Sequence, residues 1–365
     1  MNIEQVKEIA NAVLYEGYLL YPYRQSAIKN RQRWTIGVVY PREYSEANGG
    51  VEPWAMQTEC LVVGIASSTL DLYVRFLHLL VRTVKRSEGA SGRAQGQGRA
   101  FSTGEWRIAS RFANEPREEG VEREISALSL SLSELVEHPH TLDFAFPGER
   151  IVEEPVDASS DTIVREQQPL KGSVTIAAKG VETGLFKLTV RIENSTPETG
   201  AITNLRNVIM LHSFISSHTI LQVHEGAFVS LIDPPAAVRD VAQECRNMHT
   251  WPVLVGSAGD SDSMLSSPII LYDYPQIAPE SPGSLFDGTE IDEILTLRIM
   301  TLTDEEKDEM RQGDDRVREI LERTESLTPE AFMKLHGTIR SMRPVDEGDI
   351  TARGEGGRVV RSGPL

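Results

Sequence analysis

The sequence predicts an α+β protein with a β-sandwich-like core, an N-terminal helix/strand region and C-terminal helices. Three observations carry that reading. Between 172 and 256, short β-rich runs follow one another with turn residues between them: "GSVTIAAKG", "LFKLTVRIENST", "AFVSLI" and "WPVLVG". Strands at such spacing argue two packed sheets. Just upstream, "ISALSLSLSEL" (125–135) sets Ile and Leu against Ser at a period of two, the pattern of a half-buried strand. At both ends of the chain the apolar period changes to that of helices.

The elements follow in order. "MNIEQVKEIANAVLYEG" places Ile3, Val6, Ile9, Val13 and Leu14 on one helical face, with Gly17 as a stop. Its early acids and lack of an uncharged apolar stretch read as an amphipathic helix and not a signal peptide. Two runs rich in Tyr, Trp, Ile and Val, 18–23 and 34–40, predict strands, and "SEANGGVEP" (45–53) a loop. "MQTECLVVGI" (56–65) predicts a further strand. "STLDLYVRFLHLLVRTVKR" (68–86) repeats Leu70, Val74, Leu77, Val81 and Val84 at three and four, with Asp71 early and Arg and Lys late; that predicts a helix. His78, flanked by leucines, reads as a satisfied histidine at the core's edge. "SEGASGRAQGQGRAFSTGEW" (87–106) has no core-forming residues and predicts a flexible loop.

In "NVIMLHSFISSHTILQVHEG" (207–226) the helical and strand periods compete. The expectation is a helix over 208–217 followed by a strand over 219–223. Asn194-Ser195-Thr196 matches a glycosylation sequon, read here as a turn. From 257 the composition turns to Pro, Gly and Ser around "PIILYDY". Acid-rich helices follow. Thr303 and Glu306 have capping-box spacing, and Thr328, Pro329 and Gly337 delimit a last helix. The expected organisation is therefore a helix-strand-helix region (1–86), a flexible polar loop (87–120), a sandwich-like core (121–275), an acidic helical region (276–342) and a disordered tail (343–365).

Composition bounds the function. The chain has 365 residues, 25% of them charged, and a net charge of −17. An acidic surface repels phosphates, so general nucleic-acid or anionic-membrane binding is disfavoured, and an anion site needs a local basic patch. The most basic stretch is "LYPYRQSAIKNRQRWTIGVVYP" (20–41), which carries Arg24, Lys29, Arg31 and Arg33 among Tyr21, Tyr23 and Trp34. Those side chains suit an anion or stacking site. The acidic charge of the whole chain favours instead a half-exposed strand pair whose cations offset the helices of 287–325, where six basic residues face fourteen acidic ones. No apolar run approaches the roughly 18 residues a spanning helix needs, and Cys60 and Cys245 make no disulfide framework or CxxC pair. The expectation is a cytoplasmic protein with two reduced thiols.

Little in the sequence asks for catalysis. No phosphate-binding glycine loop, nucleophile elbow or zinc motif is present, and no cofactor is implied. His212, His218 and His224 recur every six residues. In a helix that spacing leaves one face; on a strand it separates the rings by roughly 20 Å. An alternative is a metal site, in a metal-binding chaperone or metal-dependent enzyme, that joins His218 and His224 to the carboxylates of 260–293, chiefly Asp287 and Glu290. Those acids also suit a helix start.

Three stretches carry a resemblance together: "YLLYPYRQSAIKNRQRW"; "HEGAFVSLIDPP" with "NMHTWPVLVG"; and "LSSPIILYDYPQIAPESPG" with "DGTEIDEILTLRIMTLTDEEK". The chain resembles uncharacterised bacterial proteins encoded beside the structural and maturation genes of nickel–iron (NiFe) hydrogenases. The resemblance implies an accessory role in assembly, maturation or attachment of such a hydrogenase, and it brings no catalytic residue with it. On this reading the protein is a non-catalytic scaffold for protein partners (hydrogenase subunits, maturation factors or further copies of itself). The docking candidates are the opening segment and Ile270, Tyr272 and Tyr274 of the proline-pinned run, which loses little entropy on binding.

Overall fold

The computed structural model describes residues 3–15, 35–85, 117–153, 162–197, 206–276, 292–311 and 315–327. The chain divides into two units, Met1–Ser326 and Leu327–Leu365, and the following concerns the first. After helix α1 (Ile3–Leu14) and the short α2 (Arg42–Ala47), one strand, β1, runs from Ala55 to Lys85. The strands β2 (Arg117–Ser131), β3 (His140–Phe146), β4 (Glu149–Glu153), β5 (Thr162–Gln167), β6 (Leu170–Glu182), β7 (Leu185–Asn194), β8 (Ile215–Phe228), β9 (Trp251–Leu254) and β10 (Ser263–Ser267) join it in one antiparallel sheet. Between them lie α3 (Leu132–Glu137), α4 (Arg206–Met210) and α5 (Arg239–Gln243). After them come α6 (Asp292–Met300), α7 (Asp304–Arg311) and α8 (Asp315–Glu325).

β1 organises the fold. Its 31 residues would span about 100 Å if straight. It bends instead at a bulge: Gly64 pairs with Gly226 and Thr69 with His224, so residues 65–68 face Glu225 alone. Before the bulge β1 pairs with β7 over Ala55–Val63. Beyond it β1 pairs with β8 to Leu77, with β2 over Thr69–Arg82 and with β5 over Leu80–Lys85. The two halves of one strand thus serve the two layers of a sandwich. Met56, Cys60 and Val62 from the first half and Leu70, Leu72, Val74 and Phe76 from the second meet in one core with Val174, Ile176, Leu188 and Val190.

The sequence-based helix over 68–86 is therefore corrected: as far as Lys85, the last described residue, the segment is strand. Its even residues face the sandwich core. Its odd residues Leu77 and Leu79 lie under a second apolar cluster with Ile299, Met310, Ile320 and Leu321 of the C-terminal helices. A strand covered on both faces carries a near-continuous apolar run, and such a run satisfies the 3.6 period as well as the period of two. Its β-branched and aromatic content, with Tyr73, Val74, Phe76, Val81, Thr83 and Val84, favours the extended form.

Other expectations shift by local chemistry. The helix α1 is as expected, and it covers Ile220, Val253, Val255 and Leu265 with Val6, Ile9, Ala10 and Val13. Residues 34–40 were expected as a strand, but over 35–40 only an isolated bridge forms, Val39 with Phe214. The expected loop 45–53 begins as the end of α2. The strand expected over 125–135 ends at Ser131, whose hydroxyl accepts from the Glu134 amide and caps α3. The helix expected over 208–217 is confined to α4, and β8 starts at Ile215. The capping box is formed: the Thr303 amide donates to Glu306 Oε2 at 3.0 Å and the Glu306 amide to Thr303 Oγ1 at 3.3 Å. The strand expected over 18–23, the 87–106 loop, the last helix and the tail lie outside the described residues.

Four phenylalanines fill one end of the core. Phe76 stacks on Phe214 at 4.7 Å, and Phe144 and Phe146 sit 5.9 and 6.1 Å from Phe76. Gly172 on β6 makes room for them: a Cβ there would lie 2.7 Å from both Phe144 and Phe214 and 2.6 Å from the Glu193 carbonyl. Gly172→Ala is expected to cost about 1–3 kcal/mol by overpacking. Gly180→Ala on the same strand, with nothing within 4 Å, is expected to be neutral. Urea denaturation of the two variants checks this; equal midpoints would contradict the packing.

Candidate functional site

The run "SSPIILYDYPQ" leaves β10 as an extended segment and not a strand. Ile269 and Leu271 pack on the cluster beneath α1, and Tyr274 on the sandwich core. Ile270 and Tyr272 point outward, 76% and 83% exposed. The segment is anchored at its far end: the Tyr274 amide donates to the Leu254 carbonyl at 2.7 Å, and Asp273 Oδ1 accepts from the Leu254 amide at 2.8 Å. The same aspartate accepts from the Ser230 hydroxyl through Oδ2. Tyr274 holds a left-handed φ of 58°, a strained conformation that these contacts sustain. Among the described residues no hydrogen bond engages the backbone of Ile270, Leu271 or Tyr272. The result is a pinned, extended edge with two large apolar side chains presented to solvent.

Tyr21, Tyr23, Arg24, Lys29, Arg31, Arg33 and Trp34 lie outside the described residues, as do Asp287 and Glu290. His218 and His224 lie six residues apart along β8, and the structure does not bring them together. His218 is fully buried, its Nδ1 donating to the Ser216 carbonyl at 3.0 Å. His224 is half exposed and held by Asp71 Oδ2 at 2.9 Å, while the Ser129 amide donates to Asp71 Oδ1 at 2.7 Å. Among the described residues no three His, Cys, Asp or Glu side chains gather as a metal site.

A charge network centred on the buried Arg75 lies near His218, and sequence reasoning missed it. Arg75 stands opposite both His218 and Glu124 in the sheet register. Its side chain, 7% exposed, reaches Glu122 at 3.1 Å and Glu124 at 3.6 Å. The hydroxyl of Tyr15, just past α1, donates to Glu122 at 2.7 Å, and Lys7 of α1 pairs with Glu124 at 3.3 Å. The network ties α1 to β2 and β1 by charge as well as by apolar contact. The alternation in "VEREI" was its one signal, hidden because the polar run before Ile125 reads as loop.

Burial dominates the titratable groups of the core. It lowers His78 to about 4, against a hydrogen bond to the Gln168 carbonyl, with Arg123 and His212 lowering it further. It lowers His218 to about 4 likewise, opposed by the Ser216 carbonyl. His212 is lowered by the same cause. Burial raises both thiols, Cys245 to about 11, which leaves them unreactive. Asn194 of the sequon is fully buried: its amide donates to the carbonyls of Val39 and His212, at 2.9 Å each. It therefore serves as a joint between segments.

No protein-family model matches the chain, and no curated protein matches it. Among solved structures the chain is similar to the secretin InvG of the Salmonella SPI-1 type III secretion injectisome in its open-gate state. The match has 10% identity over 72% of this chain and 75% of that chain, with a TM-score of 0.12. At that score the likeness carries no argument.

The histidines set an acid limit on stability. A ring whose folded pKa is lowered binds its proton more readily when unfolded, so stability is full above the unfolded value near 6.5 and is lost as pH falls towards about 4. The expected loss is on the order of 3 kcal/mol for each of His78 and His218. Denaturant titrations at pH 7, 5.5 and 4.5 check it, and His218→Gln should flatten the slope.

Proposed function

We propose that this protein is a non-catalytic accessory or scaffold protein that binds a protein partner, in the assembly, maturation or attachment of a NiFe hydrogenase. One observation carries the binding part of the reading: Ile270 and Tyr272 project from an extended segment whose backbone makes no hydrogen bond among the described residues and whose far end is fixed at Leu254. Large apolar side chains held outward at that exposure gain from a partner's surface. A rigid extended edge loses little entropy when an extended strand of a partner adds to it. The hydrogenase setting rests on the resemblance in the three quoted stretches. An acidic surface suits partners with basic patches and keeps such a scaffold off nucleic acid. Among the described residues no helix is long and apolar enough to cross a membrane.

The test is affinity purification of the tagged full chain from a cell that carries the hydrogenase genes, followed by mass spectrometry. Hydrogenase subunits or maturation factors are expected with the wild type. Ile270→Ser combined with Tyr272→Ala should lose most of that material, by roughly tenfold or more, with the melting temperature within about a degree of wild type, since both residues are exposed. Retention of the same partners by the double variant would remove this edge from the reading. Absence of any hydrogenase protein in the wild-type sample would remove the setting.

A further inference from the structure

Towards the end of β1 its core-facing side turns from apolar to basic. Arg82 stands directly opposite Arg117 of β2 on one side and Arg165 of β5 on the other. Residues directly opposite in an antiparallel pair share a face, with Cβ atoms about 5 Å apart. Three arginines thus stand abreast on three neighbouring strands, on the face that carries Phe76 and His78. The next row on that face is Glu119, Leu80, Gln167 and Glu149, from β2, β1, β5 and β4. A fourth arginine reaches this row from further along β2. Arg123, opposite Phe76, donates from Nη2 to Gln167 Oε1 at 2.8 Å and lays Cζ 4.5 Å over the Phe146 ring.

Like charges set abreast repel, so such a row needs an offset. The carboxylates on that face are Glu119, Glu149 and Glu153. Glu119 accepts from Arg165 Nε at 3.4 Å, and Glu153 pairs with Arg165 as well. Arg82 Nε lies 3.7 Å from Glu119, too far for a hydrogen bond, although the Arg82 side chain is only 19% exposed. Among the described residues no other group pairs with Arg82, and no carboxylate pairs with Arg123, whose Nε is buried without a partner. Glu149 is exposed and engages neither. A guanidinium withdrawn from water without a partner is costly. Two of them here keep N–H donors that no described carboxylate takes up.

We propose that Arg82 and Arg123, with Arg117 and Arg165 beside them, bind a phosphoryl group, free or carried by a small phosphomonoester. The guanidinium fork matches two oxygens of a phosphate. A tetrahedral phosphate has oxygens enough for several forks at once, and a planar carboxylate has two. Four cations against three carboxylates leave this face positive, a local basic patch on a chain of net charge −17. The Gln167 amide and the Phe146 ring hold Arg123 in place for the anion. The site shares no residue with the Ile270–Tyr272 edge and does not rest on the partner-binding reading.

The probe is inorganic phosphate, titrated into the full chain at low ionic strength and read by calorimetry and by the melting temperature, with chloride of matched ionic strength as the blank. Saturable binding and a raised melting temperature are expected. Arg82→Gln should weaken binding by roughly tenfold or more, and Arg82→Lys, which keeps the charge and loses the fork, should not restore it. Arg123→Gln should act in the same direction and carries the test if the Arg82 variants do not fold. Arg150→Gln removes the same charge from the opposite face of β4 and should leave binding unchanged. Adenosine monophosphate binding tighter than phosphate would name a phosphomonoester as the ligand; binding no tighter would name free phosphate. The proposal is overturned if the wild type binds no phosphate, if Arg150→Gln loses as much as Arg82→Gln or Arg123→Gln, or if succinate raises the melting temperature as far as phosphate does.

Discussion

The fold depends on β1 being a single strand that serves both layers of a sandwich. A strand of 31 residues cannot stay straight within a core of this size, and the bulge at 65–68 is where it turns. From that follows the order of the sheet. The strands β7, β6 and β3 are laid against the first half, and β8, β10 and β9 continue from the second. The core then closes between the halves, with the phenylalanines at one end and Gly172 leaving them space.

The outer face of the second half is covered by helices, and polar joints fix the cover. Arg75 illustrates the balance. A guanidinium taken out of water is costly unless it is paired, and here two carboxylates and the elements that carry them converge on it. Loss of both carboxylates would leave the Arg75 charge buried and unpaired. Asn194 plays the neutral counterpart, spanning Val39 and His212 with one amide. Glu59 does the same on the other face, accepting from the Arg246 amide at 2.8 Å and pairing with Lys187 at 3.2 Å. These joints give specificity to a fold whose apolar contacts alone permit slippage between similar strands.

The candidate binding edge stands at the margin of this frame. The Ile270–Tyr272 edge is extended because prolines flank it and the Asp273 and Tyr274 contacts hold it to Leu254. Its inward residues bind it to the fold and its outward ones are left over, so alternation creates the exposed pair. His78 is held by the Gln168 carbonyl in the turn that joins β5 to β6, and burial lowers its pKa.

The sequence by itself determined the α+β class, the β6 and β7 strands, the amphipathic α1 and the capping box at Thr303 and Glu306. Each rests on local chemistry: a period of two or 3.6, a hydroxyl three residues before a carboxylate, a turn residue at the right place. It also marked the outward pair Ile270 and Tyr272 as part of a pinned apolar run. Only the tertiary structure decided that 68–85 is strand, because the covering of both faces of β1 by distant residues erased the alternation that would have shown it. Only tertiary structure, likewise, set Arg75 beside Glu122 and Glu124 and hung His78 from the Gln168 carbonyl. Those residues are 47 and more positions apart in the chain, and register across a sheet is a property of pairing that no local pattern encodes.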